Sequence, residues 1–187
     1  MATPYGIIAE PLQNFKVMLS KCPAFQLWCE ETDAAIPDTE PTRSAGCLPY
    51  IHLIKYAKPA SGGFVYPVVI VDLPEDLNYE TVGVSAVGMD FSNGRGIFDV
   101  TLMRVVPTAQ RSDDVEAWIN FVGWTDVNGN YGLGQIIEDL KALSMVGTYL
   151  WINDIALQEG PWWISEEKKN PANPIIGAKL RITWGFG

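Results

Sequence analysis

Histidine is nearly absent from this chain: among 187 residues, His52 stands alone. Any dyad or triad relying on imidazole would have to be assembled around that one ring. It lies in a stretch where it alternates with aromatics, and no G-x-S-x-G marks a nucleophilic serine. His52 is therefore expected to be structural or at the surface. Cysteine is scarce as well. Cys22, Cys29 and Cys47 are odd in number and no two share C-x-x-C spacing. With a single histidine beside them they lack the ligand spacing of a zinc site. The opening MATPYGIIAEPLQ has no basic n-region and no long apolar run. Reduced thiols in a protein made in a cytoplasm are expected. No run reaches the ~18 apolar residues of a membrane span, so neither export nor a membrane anchor is expected.

Charge is in short supply: 19% of residues are charged, and the formal net charge is −9. The densest basic run, Lys168-Lys169, is preceded by Glu166-Glu167. Binding a phosphate backbone takes clustered Lys and Arg, so a basic nucleic-acid face is not expected. An acidic wall past which DNA slides without adhering stays compatible with the sequence, and so does plain acidic solubility. The low charge leaves surface to Trp, Tyr, Gly, Asn and Thr. That composition suits a protein contact surface and equally a polar, uncharged one.

What is present is enough for a core. Hydrophobic residues make up 48% of the chain, and a chain of this length buries about 70% of its unfolded surface. One domain spanning 1–187 is expected, with loop insertions near 31–47 and 161–174. Ile8, Leu12, Phe15 and Leu19 form a helical stripe over 7–21, with Pro11 in its first turn. Pro23 interrupts it, and PAFQLWCEE adds a turn or two. Residues 31–47, rich in Pro, Thr, Asp and Glu, read as an exposed loop. Strands follow at 48–58 and at 64–74, where Pro67 points to an edge. Two more, at 81–91 and 96–107, flank Ser92-Asn93-Gly94-Arg95, a hairpin signal because both Asn and Gly accept positive φ. In the second of these, Ile97, Val100, Leu102 and Val105 alternate imperfectly with Asp99, Thr101 and Arg104. Ser112 is a candidate N-cap for a helix over 112–124. Residues 133–146 carry Ile136, Ile137, Leu140 and Leu143 on one face. Strands at 148–157 and 175–185 close the chain, separated by a polar loop at 161–174. No repeat or linker divides it. The order predicts an α+β fold, a mixed or antiparallel sheet packed by helices on one face.

Motifs that could carry chemistry fall short of their templates. Asp126-x-Asn128-x-Asn130 opens like a calcium loop. Tyr131 then stands where Gly is needed, and Ile137 where a bidentate Glu belongs. Gly129 to Gly134 precede a helix as a phosphate loop would, without the lysine or the strand that such a loop needs. Acids cluster only as neighbours, at Asp113-Asp114, Glu138-Asp139 and Glu166-Glu167, whereas acid–base work needs two carboxylates facing each other. A hydrolase built on Glu166 and Glu167 is the weakest reading; neither an enzyme nor a cofactor or metal is expected. Seven tryptophans are many. Trp118, Trp124 and Trp151 lie in elements and are expected in the core. Trp162 and Trp163 open a loop, where they could anchor an interface or, with Tyr131, stack on sugars in a carbohydrate-binding module.

The layout as a whole resembles the tail terminator, tail completion and other neck-region minor structural proteins of long-tailed bacteriophages. The resemblance runs through the amphipathic N-terminal helix, the Asn-Gly hairpin, a helix ending IIEDLKAL, a strand like TYLWINDIAL, and a last strand ending RITWGFG. It is most specific over 133–187. It implies a homo-oligomeric ring, usually a hexamer, that caps the tail tube and joins it to the head connector, with DNA passing through the lumen without sequence-specific binding. Its partners would be further copies of itself, the major tail tube protein and the head connector or head-completion protein. Its place would be the virion tail or neck. Interface residues under this reading are Trp162, Trp163, Asn93, Arg95, Trp184 and Phe186, with 31–47 and 161–174 as contact arms.

Overall fold

The computed structural model describes residues 6–53, 65–73, 89–90, 95–106, 114–123, 131–145, 150–164 and 174–185. The first helix, α1 (Gly6–Ser20), buries Leu12, Phe15, Met18 and Leu19 on one stripe, as the 3.6-residue period requires. It starts at Gly6, so Pro11 sits inside the helix rather than in its first turn. Helix α2 (Pro23–Glu30) has proline at its N-terminus, where no N–H is needed. The 31–47 segment is not all loop. Thr42–Cys47 form α3, which buries Ser44 and Cys47. Its Arg43 pairs with Glu30 of α2 at 2.7 Å and with Asp38. A buried polar chain ties the three helices together. Ser44 Oγ donates to Ser20 Oγ at 3.3 Å, Ser20 Oγ to the Val17 carbonyl at 2.7 Å, and Gln26 Nε2 to the Ser20 carbonyl at 2.7 Å. The Ser44 and Ser20 hydroxyls and the Gln26 amide N–H thus keep partners in place of water.

Five strands make a mixed sheet in the order β1 (Ile51–Leu53), β2 (Val68–Asp72), β4 (Arg95–Val105), β6 (Ile175–Gly185), β5 (Trp151–Ile164). A short β3 (Met89–Asp90) pairs with the start of β4. β1 and β2 run parallel, and every other pairing is antiparallel. On either side of residues 91–94, β3 and β4 pair antiparallel, with Met89 opposite Gly96 and Asp90 opposite Arg95. Asn93 itself lies outside the described residues, as do residues 54–64, 81–88 and 124–130 on which other strand and turn expectations fall. Pro67 is buried and stands just before β2, whose first residue, Val68, pairs with β4 alone; β1 joins from Val69 onward. The polar loop expected from residue 161 is in its first part strand: β5 runs on through Gly160, Pro161, Trp162 and Trp163 to Ile164.

Alternation along β4 sorts the sheet into two faces. Phe98, Val100, Leu102 and Arg104 turn to the helices. Phe15 of α1 meets Phe98 at 5.7 Å between ring centroids, and Trp28 of α2 lies under Arg104. Asp99, Thr101 and Met103 turn to the second face. The imperfect alternation therefore has a cause: Arg104 is a charged side chain on the helix-facing row. The core joins these residues to Val69, Val71, Ala178, Leu180, Ile182 and Trp184, each largely removed from water. Burying a side chain of this size contributes roughly 1.5–3 kcal/mol.

Two further helices complete the layer, α4 (Asp114–Val122) and α5 (Leu133–Met145). Phe121 of α4 reaches Trp28 at 6.4 Å, and Ser144 of α5 accepts the Ile152 N–H of β5 at 2.6 Å. The glycines before α5 are there for close approach. A Cβ on Gly132 would stand 2.3 Å from the Gly123 carbonyl oxygen, and the Gly134 N–H donates to that same oxygen at 3.0 Å. The residue that follows α4 thereby occupies one amide in the first turn of α5. This answers the phosphate-loop pattern with helix packing.

Candidate functional site

Two surfaces gather unusual side chains. The first is the second face of the sheet, where register sets a charged group. Asp99 of β4 lies directly opposite Arg181 of β6, and Thr101 directly opposite Lys179. Directly opposed and diagonal cross-strand pairs are the ones close enough to interact. Asp99 accepts from Arg181 Nε at 2.9 Å and Nη2 at 3.1 Å, and pairs with Lys179 Nζ at 3.0 Å. Its own exposure is only 3%, so both cations are needed to hold its charge away from water. Beside this group is a cavity of about 180 Å³ lined by Ile70, Asp72, Thr101, Glu159, Trp162 and Lys179 among others. Its β5 wall is irregular. The β5–β6 register shifts between Leu157 and Glu159, and again between Glu159 and Trp162. Such bulges re-aim side chains. Gly160, at φ 94°, lies under the Trp162 ring.

The second surface runs along β5, which among the described residues has a strand neighbour, β6, on one side only. Helix α4 lies beside it, tied by Trp118 Nε1 donating to the Pro161 carbonyl at 3.0 Å. That helix is apolar on two sides. Ala117 and Phe121 face the core, whereas Val115, Trp118 and Ile119, at i, i+3 and i+4, are 65%, 43% and 58% exposed. Near the start of β5, Met145 and Trp151 are also exposed, beside a groove of about 290 Å³ that Lys141 and Asp154 help to line. Leu157 is exposed midway. Of eight exposed large hydrophobic residues described, six therefore lie on α4, the end of α5, or β5. Exposed apolar side chains in this number around a long edge strand are what proteins in water ordinarily avoid.

No family model, curated protein or solved structure matches the chain. What its surfaces can do is thus a matter of their own chemistry. Among the described residues, no three or more His, Cys, Asp or Glu side chains are arranged to hold a metal ion, and no helix is long and apolar enough to cross a membrane.

The residues expected at an interface are dispersed. Trp162 is half-buried at the cavity on the second face. Trp163 is opposite Ile176 in β5, and Arg95 opposite Gly185 in β4; the side chains of both lie outside the described structure. Asn93 and Phe186 lie outside it entirely, as do Trp124, Asp126, Asn128, Asn130, Glu166 and Glu167. Trp184 is no contact residue. It is 2% exposed, stacks on Phe98 at 5.3 Å, and fills the space that the missing side chain of Gly96 leaves. Trp118 and Trp151, expected in the core, are instead at the surface. Tyr131 does not join Trp162. Its N–H donates to Glu31 at 2.9 Å and its side chain packs on the core. The signal for the exposed side chains of α4 was in the sequence. Ala117-Phe121 and Val115-Trp118-Ile119 are two apolar stripes on one short helix, one more than the core can take.

His52 is part-buried, and desolvation followed by Lys16 holds its pKa below the ordinary value. The thiols are buried and free. Burial pushes Cys22 far up, with the Asp139 carboxylate adding to it. Burial and then the adjacent Cys47 thiol hold Cys29 well above the usual thiol range. Neither Cys22 nor Cys29 is a thiolate nucleophile at neutral pH.

Proposed function

We propose that this chain is a virion structural protein, a ring-forming tail terminator or neck subunit that acts by shape rather than catalysis. Copies of it associate head to tail into a closed ring that caps the tail tube and joins it to the head connector. The observation that carries this reading is the set of exposed apolar side chains on α4 (Val115, Trp118 and Ile119), at the end of α5 (Met145) and on β5 (Trp151 and Leu157). A surface of that composition lowers its free energy by meeting a matching surface, and in a homo-oligomer the supply of matching surfaces is other copies. A stable contact needs about 800 Å² from each partner, which a 14-residue strand with a flanking helix has the length to provide. The net charge of −9 suits a lumen that DNA passes without adhering. The resemblance in layout supports the assignment to a tail or neck, and the tube protein and head connector follow from it as partners.

Negative-stain microscopy of the purified protein at high concentration tests this. Closed rings with a central hole are expected. A field of monomers would refute it.

A further inference from the structure

We infer that the cavity on the second face of the sheet binds a neutral polyhydroxylated ligand, a single pyranose unit, with Trp162 as the platform on which the sugar ring stacks. The lining decides the class. Asp72, Asp99 and Glu159 bring three carboxylates, and Lys179 brings an ammonium already fixed against Asp99 at 3.0 Å. A free anion would meet the carboxylates, and a free cation would meet Lys179. A ligand whose groups both donate and accept hydrogen bonds satisfies all of them, because carboxylates only accept, ammonium only donates, and the Thr101 hydroxyl does either. Sugar hydroxyls have that double capacity. The apolar C–H face of a pyranose matches the face of an indole, whose edge and body bury well against such surfaces.

The platform is built rather than incidental. Trp162 lies across from Gly177, and a Cβ on Gly160 would stand 2.5 Å from its ring, so bare backbone lies beneath the indole. Two register shifts within five residues of β5 bring Glu159 and Trp162 to one cavity. At about 180 Å³ the space is smaller than the ~300–1,000 Å³ of drug-sized pockets, which fits one ring and not a chain of them. The exposed side chains that support ring formation share Leu157's strand with this cavity but none of the cavity's residues. The two proposals therefore stand or fall separately.

The test is titration of the full-length protein with methyl glycosides of glucose, galactose, mannose and N-acetylglucosamine, followed by the indole N–H resonances in two-dimensional NMR. At least one pyranoside is expected to shift the Trp162 indole saturably at millimolar concentration. Trp162→Ala should weaken that binding by about tenfold, the loss of one aromatic contact. Glu159→Gln, at an exposed position where folding is not at stake, should weaken it several-fold. Glu138→Gln on α5 should leave it unchanged. Absence of any shift at Trp162 with all four glycosides would overturn the proposal. So would binding of tetramethylammonium alone, which would assign the cavity to a cation, or binding indifferent to both Trp162→Ala and Glu159→Gln.

Discussion

Arg104 Nη1 stands 2.6 Å from Glu31 Oε2, and the guanidinium lies 5.5 Å from the Trp28 ring and 5.7 Å from the Phe121 ring. One ion pair thus joins the middle of the sheet to α2, to α4 and, through the Tyr131 N–H on the other carboxylate oxygen, to the approach of α5. The arginine side chain is almost wholly buried, and cation–π contacts replace part of the hydration it has lost. Removing one partner leaves the other charge uncompensated. Arg104→Met should destabilise the fold by about 3–5 kcal/mol, seen as a lower midpoint in urea. The double variant Arg104→Met, Glu31→Met should recover most of that loss. Independent, additive effects of the two substitutions would show that the pair is not coupled.

Asp139 of α5 supplies the cap that α2 does not make for itself. Its Oδ2 accepts the Ala24 N–H at 2.8 Å at the positive end of the helix dipole, while its Oδ1 accepts from Gln135 Nε2 at 2.8 Å. Asp139→Ala should lower stability by about 1–2 kcal/mol, and thermal unfolding followed by circular dichroism would detect it. Asp139→Asn keeps an acceptor and should lose less. Equal losses for the two would mean that the hydrogen bond is not what matters.

Gly96 and Trp184 form a matched pair across β4 and β6. A Cβ at Gly96 would stand 2.4 Å from the indole, so Gly96→Ala must displace a buried ring that also stacks on Phe98. A loss of about 1–3 kcal/mol is expected from this overpacking. Near-ultraviolet circular dichroism should report the changed tryptophan environment. An unchanged spectrum and melting temperature would contradict the placement of Trp184.

The buried thiols predict a pH dependence. Cys22 and Cys29 hold their protons more tightly folded than unfolded, since burial raises both above the ordinary 9.0. Their contribution to stability is therefore complete below about pH 9 and declines as pH rises beyond it. Urea midpoints measured from pH 7 to pH 10.5 should fall above pH 9, and Cys22→Ala should flatten the decline. At pH 8, Ellman's reagent should find no reactive thiol until denaturant is added. Rapid labelling of the folded protein would contradict the burial.

The α+β order, the N-terminal helix, the antiparallel pairing on either side of 91–94 and the helix over 133–145 were legible in the sequence because each is specified locally, by period or by turn chemistry. Three features were not. α3 forms in a Pro- and Thr-rich stretch through contacts of Arg43 and Ser44 with α2 and α1, which no local pattern encodes. β5 continues through Gly160-Pro161 because β6 pairs with it on the far side, while Gly and Pro by themselves read as a loop. Trp184 and Trp118 exchanged expected places: the former fills the gap over Gly96, a partner 88 positions away in the chain, and the latter stands on the outer stripe of α4. The cavity around Asp99 likewise exists only after the register of β4, β5 and β6 has been set.

The central claim is that the exposed apolar side chains of α4 and β5 meet other copies of this chain. Native mass spectrometry of the wild-type protein beside Trp118→Glu tests it most directly. The account predicts a single closed oligomer for the wild type and a folded monomer, with unchanged circular dichroism, for the variant. A wild-type protein that stays monomeric at high concentration, or an oligomer indifferent to Trp118→Glu, would contradict it.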